Sequence, residues 1–575
     1  MVLVALGMLF LAVGCSSCGD SKEPRETALA PAVDLSPVPE PQGLMAELYA
    51  STPGATWTAL RELVGAPGAL LPATFPVLAT TLLGLPPLVS GQIDSDVPVL
   101  GAIAGAGGGE PSWVIGFHVK SGRELVAQLG SGADASHSPR TDATSGVVLL
   151  EPKAGKASAT VALGVVGNYL LSARSAADLV ALGPYVARSL PKRPQPREPI
   201  VLLARQEALK GPIVALVRKI WRGYAAELER ADRKNREKHG NRAPDFGDPA
   251  AALAGAGAGV DMLAMVLESA RELRLIIEPL PDRLAARLEL SAGPSGAASE
   301  LLRDMSIGDS APFLALPRDA LLALFSRSSL VERQTSAKAS EERLSALFGD
   351  RLSESDKKRL EETFGKLARG RGDHSAYALV SRSDQTALLM KSAVADEAEF
   401  NAGARSLIKL LQVRAFAEPV RQFIGQVSVR ESRLKLPGIG PTVHRAELSV
   451  SPASLFALKL TPKRGDPTRL EALWTVKDGI AYGVAARNAA PLLVEIVTAD
   501  PSRTLGADPD VARAAERAGS VATAVLARPA GLGLVQGGGQ APVLLSLGRT
   551  KELGWLKLDV ARPAVMGLAR SVSLP

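Results

Sequence analysis

From Trp113 to Lys120 the chain alternates with a period of two: Trp113, Ile115, Phe117 and Val119 fall to one side, Val114, Gly116, His118 and Lys120 to the other. That period predicts a strand with one buried face. A helix is expected from Ser121, because Ser121 and Glu124 have the spacing of a capping box. Further on, Tyr377 to Val380 and Ala387 to Met390 flank Ser383-Asp384 as a hairpin, and Asp396 caps a helix carrying Phe400, Leu407 and Leu411 near helical spacing. Gly167-Asn168 and Asp478-Gly479 separate apolar runs and read as hairpin turns, since such turns need positive φ. Two more hairpins are expected around Pro281-Asp282 and Gly548-Arg549. The pattern predicts an α+β fold of antiparallel meanders with helices packed on one face.

The body reads as two similar units. Ala173-Arg174-Ser175-Ala176-Ala177-Asp178-Leu179-Val180 matches Ala486-Arg487-Asn488-Ala489-Ala490-Pro491-Leu492-Leu493 at an offset of 313. Val201-Leu202-Leu203-Ala204-Arg205 answers Ala524-Val525-Leu526-Ala527-Arg528 at 323, and Leu288-Glu289-Leu290 answers Leu556-Lys557-Leu558 at 268. The consistent order predicts a first unit over 44–310 and a second over 311–575. The fall in offset places about 55 extra residues in the first copy, within a helical, charged insertion at about 211–269. There Ile213, Val217, Ile220, Trp221, Tyr224 and Leu228 form an apolar stripe, followed by an almost wholly charged run to Arg242. One reading is a basic arm for anionic lipid, polysaccharide or nucleic acid. The other is a solvated helix end, because nine Lys/Arg between Arg218 and Arg242 are interspersed with four Asp/Glu.

Ahead of this body, an apolar run from Val2 to Val13 stops at Gly14-Cys15. It is shorter than the roughly 20 residues a membrane span needs and has the length of a secretory signal core. No Lys or Arg precedes it, so a basic segment is expected upstream of Met1. Leu11-Ala12-Val13-Gly14-Cys15 resembles the lipobox of bacterial lipoproteins. The resemblance implies a signal peptide over 1–14, lipidation of Cys15 and cleavage just before it. Residues 15–43 then form a tether, with Pro24, Pro31, Pro37, Pro39 and Pro41 and no apolar periodicity. In that family an Asp after the cysteine retains the protein in the inner membrane, whereas this chain has Ser16, which implies the outer membrane. The two-unit body, with hairpin-helix segments such as Ala-Arg-Ser-Ala-Ala-Asp-Leu, resembles a family of secreted bacterial proteins of unknown function. That likeness implies an envelope protein and carries over no catalytic residue.

Composition is ordinary for a globular chain of 575 residues, with 46% hydrophobic and 22% charged residues. Cys15 and Cys18 are the two cysteines, so the body has no disulfide and relies on its core. The formal charge of +7 is spread out, without the basic face interleaved with aromatics that nucleic-acid binding uses, and no nucleic-acid partner is expected.

Candidate chemistry is sparse. His118, His137, His239, His374 and His444 stand far apart, none with a metal-ligand spacing, and surface positions are expected for His118, His239 and His374. Ser355-Asp356-Lys357-Lys358 fits S-x-x-K but lies among alternating charges, with neither S-D-N nor K-T-G elsewhere. The Gly-rich stretches hold no phosphate-binding motif. No catalytic, cofactor or metal residue is assigned, and Cys15 is the single site expected. The function expected is a non-enzymatic envelope lipoprotein that binds or scaffolds an envelope protein, polysaccharide or lipid. A carrier of apolar ligand in a sheet-helix cavity is the alternative, and an unrecognised hydrolase the third.

Overall fold

A computed structural model describes residues 34–105, 110–131, 135–153, 161–239, 249–382, 385–417, 429–449, 469–534 and 540–573. The signal run, Cys15, Cys18 and most of the tether lie outside the described residues, as do the turn Ser383-Asp384 and Gly240 to Asp248 of the insertion. The fold is α+β. Its described residues fall into two compact units, one running to Ala204 and including Ile276–Glu278, the other Arg205–Leu275 with the residues from Pro279 on.

Unit one contains β1 (Leu44–Ala50), β2 (Val99–Ala104), β3 (Ser112–His118), β4 (His137–Thr141), β5 (Val148–Pro152), β6 (Ala162–Val166), β7 (Tyr169–Ala173) and β8 (Ile200–Arg205). They pair antiparallel in the order β8, β1, β2, β3, β7, β6, β5, β4. Ser121 accepts a hydrogen bond from the Glu124 amide at 3.2 Å and starts the helix Gly122–Gly130, as its spacing predicts. Gly167 has φ +56° in the turn between β6 and β7, a conformation that costs glycine little. One core gathers Tyr49, Leu100, Val114, Leu171, Leu179 and Val186, and a second gathers Leu83, Ile93, Leu125, Leu163 and Leu170. Leu170 and Leu171 are consecutive in β7 and enter different cores, so this sheet is covered on both faces.

Unit two contains most of β9 (Ala270–Leu280), followed by β10 (Arg283–Ala292), β11 (Ala320–Arg327), β12 (Arg371–Arg382), β13 (Gln385–Val394) and β14 (Val429–Leu436). It continues through β15 (Gly440–Ser449), β16 (Arg469–Lys477), β17 (Ile480–Ala486), β18 (Thr523–Ala527), β19 (Val543–Arg549) and β20 (Leu553–Ala561). The antiparallel order is β14, β15, β16, β17, β13, β12, β11, β18, β19, β20, β10. From β11 to β18 this repeats, strand for strand, the pairing order of β1 to β8.

Asp478 and Gly479 have φ of 52° and 75° and make the tight turn between β16 and β17. Asp396 accepts from the Glu399 amide at 2.9 Å and starts the helix Glu397–Leu410. In that helix Phe400 and Leu410 are buried, whereas Leu407 points to solvent. Gly548-Arg549 closes β19, and the turn falls just after it. The insertion forms the helices Val214–His239 and Pro249–Ser269.

Candidate functional site

Residues directly opposite each other on antiparallel strands project to the same side of the sheet. Following the register across unit two, Tyr377, Leu324, Val525, Leu545 and Leu558 form one such row. Leu379, Leu322, Ala527, Val543, Val560 and Leu284 form the row beside it. Ser326, Thr523, Leu547, Leu556 and Leu288 form a third. None of these positions is charged. Val560 and Leu284, at the end of the second row, are buried; with strands about 4.8 Å apart the other positions span roughly 20 Å across the strands, a face of a few hundred Å².

The alternate residues of the same strands point the other way into a solid core. Ala323, Phe325, Ala376, Ala378, Ala524, Leu526 and Leu544 are buried there with Leu493 of the helix Ala490–Val497 and Val511 and Ala514 of the helix Pro509–Ala518. On the leucine side, Phe400 and Ile408 of the helix Glu397–Leu410 pack with Met390, Ala481, Trp474 and Ala446, over β13, β17, β16 and β15. Beyond that cover Leu322 is 39% exposed, Leu324 41% and Leu388 48%, while Tyr377, Leu379, Val525, Leu545, Leu547, Leu556 and Leu558 are half-buried. The sequence carries the signal in β11 and β19, where Leu321-Leu322-Ala323-Leu324-Phe325 and Val543-Leu544-Leu545 are apolar on both sides instead of alternating.

The polar clusters of unit two are compensated ion pairs. Arg528, 4% exposed, donates Nη2 to Asp508 Oδ2 at 2.7 Å and Nε to the Ala320 carbonyl at 3.1 Å. Arg382 donates to Asp319 at 2.7 Å and binds Glu495 through both terminal nitrogens. These residues line an open cleft of about 920 Å³ together with Arg318, Arg503 and Asp510. Four arginines there stand against four carboxylates. Burial alone would raise the Asp508 carboxyl, but the hydrogen bond and charge of Arg528 outweigh it and hold it below the usual carboxylate range. A carboxyl held ionised in this way is a poor proton donor and a poor base near neutral pH.

Each described histidine has its own local surroundings. His118 lies 3.6 Å from Asp94 and edge-on to Tyr169. His374 pairs with Asp373 at 2.8 Å and sits within β12, not in a loop, with its side chain 17% exposed. The surface positions expected for His118 and His374 give way to half-burial, because each strand places its imidazole against an aromatic ring, Tyr169 and Phe325 respectively. His137 is buried with Nδ1 2.8 Å from Ser136 Oγ, and burial pushes its pKa down. His444 stacks on Trp474 with centroids 5.0 Å apart. The side chain of His239 and the lipidation site Cys15 lie outside the described residues.

Ser355 is exposed in the first turn of the helix Glu354–Gly370, 2.8 Å from Ser353 Oγ, and Lys357 is engaged by Glu354 at 2.7 Å. Lys358 is exposed, so the S-x-x-K spacing has no buried lysine to activate a serine. Among the described residues no group of three or more His, Cys, Asp or Glu could hold a metal ion, and no helix is long and apolar enough to cross a membrane. No family model, no curated protein and no solved structure matches the chain.

Proposed function

We propose that the chain is a membrane-anchored, non-enzymatic lipoprotein of the bacterial envelope that holds an apolar ligand, such as the acyl chains of a lipid, on the leucine face of unit two. The anchor is Cys15, and Ser16 directs the mature protein to the outer membrane. The observation that carries the binding part is the uncharged face of Leu322, Leu324, Leu545 and Leu558, exposed or half-buried on strands whose other side is solid core. A protein interface of this size would use about one hydrogen bond per 100–200 Å², and these rows offer only Tyr377, Ser326 and Thr523 as side-chain partners. An aliphatic chain needs none. Native mass spectrometry of protein extracted gently from envelopes tests the reading: a bound lipid that organic extraction removes supports it, and a bare chain contradicts it.

The two-unit organisation belongs to the same proposal. It is supported by the repeated strand order and by corresponding burial, with Tyr49 in β1 and Phe325 in β11 both fully buried. Tyr49 pairs with Leu100 and Val201, and Phe325 with Ala376 and Ala524. Val201 and Ala524 are the residues that the sequence match equates at offset 323.

A further inference from the structure

The helical insertion leaves uncovered the residues that its periodicity would bury. Ile220, Tyr224 and Leu228 recur every four residues on the helix Val214–His239 and so share one side of it. Ile220 is 62% exposed and Tyr224 54%; on the neighbouring helix Pro249–Ser269, Met262 is 59% exposed. Single exposed apolar residues are common on any surface, but successive turns of one helix stripe are not.

Charge identifies what would cover the stripe. The helix Val214–His239 carries eight Lys/Arg against four Asp/Glu, and its first half, through Ala226, has Arg218, Lys219 and Arg222 with no acid. Arg218 leans to Glu268 at 3.4 Å, whereas Arg222 is exposed and donates Nε to the Arg218 carbonyl of its own helix. Arg233 and Lys234, both exposed, extend the positive charge beyond Leu228. A helix is about 10 Å across, comparable with the Debye length at physiological salt, so a surface touching the stripe feels the net charge of the whole helix. Trp221 and Tyr224, with ring centroids 6.2 Å apart, add the amphipathic rings that favour a membrane–water boundary.

We infer that this helix docks on an anionic phospholipid surface, with Ile220, Tyr224 and Leu228 entering the headgroup boundary and the net positive charge of the helix drawing it to that surface. The contact is separate from lipidation of Cys15 and from the ligand on the leucine face.

The test uses the full chain with Cys15→Ser and Cys18→Ser, so that Tyr224→Cys is its one thiol and carries an environment-sensitive fluorophore. Vesicles of phosphatidylcholine with phosphatidylglycerol should shift the emission to the blue and make it accessible to lipid-borne quenchers. Adding Arg222→Glu should weaken the vesicle affinity at least about fivefold, since each basic residue near such a surface contributes about that factor. A control label at Arg140→Cys, in unit one, should not respond. The inference is overturned by no response at residue 224, by an equal response to phosphatidylcholine alone, by an equal response at residue 140, or by a shift that DNA or an anionic polysaccharide produces and vesicles do not.

Discussion

Leu288 and Leu556 face each other across β10 and β20, within nine consecutive antiparallel pairs. They are also the residues that the sequence match equates at offset 268.

The register makes the first prediction. In a chain lacking Cys15 and Cys18, Leu288→Cys with Leu556→Cys should form a disulfide under mild oxidation, seen as the loss of two titratable thiols and of two hydrogens by mass spectrometry. Neither single variant should form an intramolecular bridge. A slip of one residue would turn the two side chains to opposite faces, and the thiols would then stay free.

The second prediction concerns Asp508 and Arg528, which are buried together at 2.7 Å. Asp508→Ala leaves a guanidinium without its charge partner, and destabilisation of about 3–5 kcal/mol is expected from chemical denaturation at pH 7. The Asp508 carboxyl is held below its ordinary value of 3.8, so its contribution is present above that pH and is lost as pH falls through the folded value. Stability of the wild type should therefore drop further than that of Asp508→Asn between pH 5 and about pH 3. Equal acid sensitivity of the two proteins would contradict this assignment.

Much of the fold was legible because the local signals are strong. Ser121 and Asp396 cap the helices they announce, and Gly167 and Asp478-Gly479 take the positive φ that their hairpins require. Less legible was anything set by pairing between distant segments. Glu47 is an acid inside an apolar strand, and nothing near it in sequence reveals that Tyr185 and Arg193 join Tyr49 on its carboxylate. The leucine face was hidden for a related reason. A strand apolar on both sides reads as buried on both, and only the order of strands shows where the helix Glu397–Leu410 stops covering it.

The third prediction follows from the lipobox resemblance at Cys15. Cells grown with a clickable fatty acid should label the wild-type protein and not Cys15→Ser, and sucrose-gradient fractionation should place the labelled protein with outer-membrane markers. Equal labelling of both forms would remove the lipoprotein assignment. A peak with inner-membrane markers would remove the sorting assignment that rests on Ser16.

The most direct measurement of the central claim is a titration of the purified protein with a fluorescent fatty acid, comparing wild type with Leu324→Glu. Leu324 is 41% exposed, so the change should leave the unfolding free energy within about 0.5 kcal/mol of wild type. A carboxylate in the middle of the uncharged rows should nevertheless weaken binding at least about tenfold, because an aliphatic chain laid over it would have to desolvate a charge. Saturable binding by the wild type, lost in Leu324→Glu with stability retained, is the result predicted. Absence of binding by the wild type, or equal binding by both proteins, would contradict the assignment of the leucine face as the site.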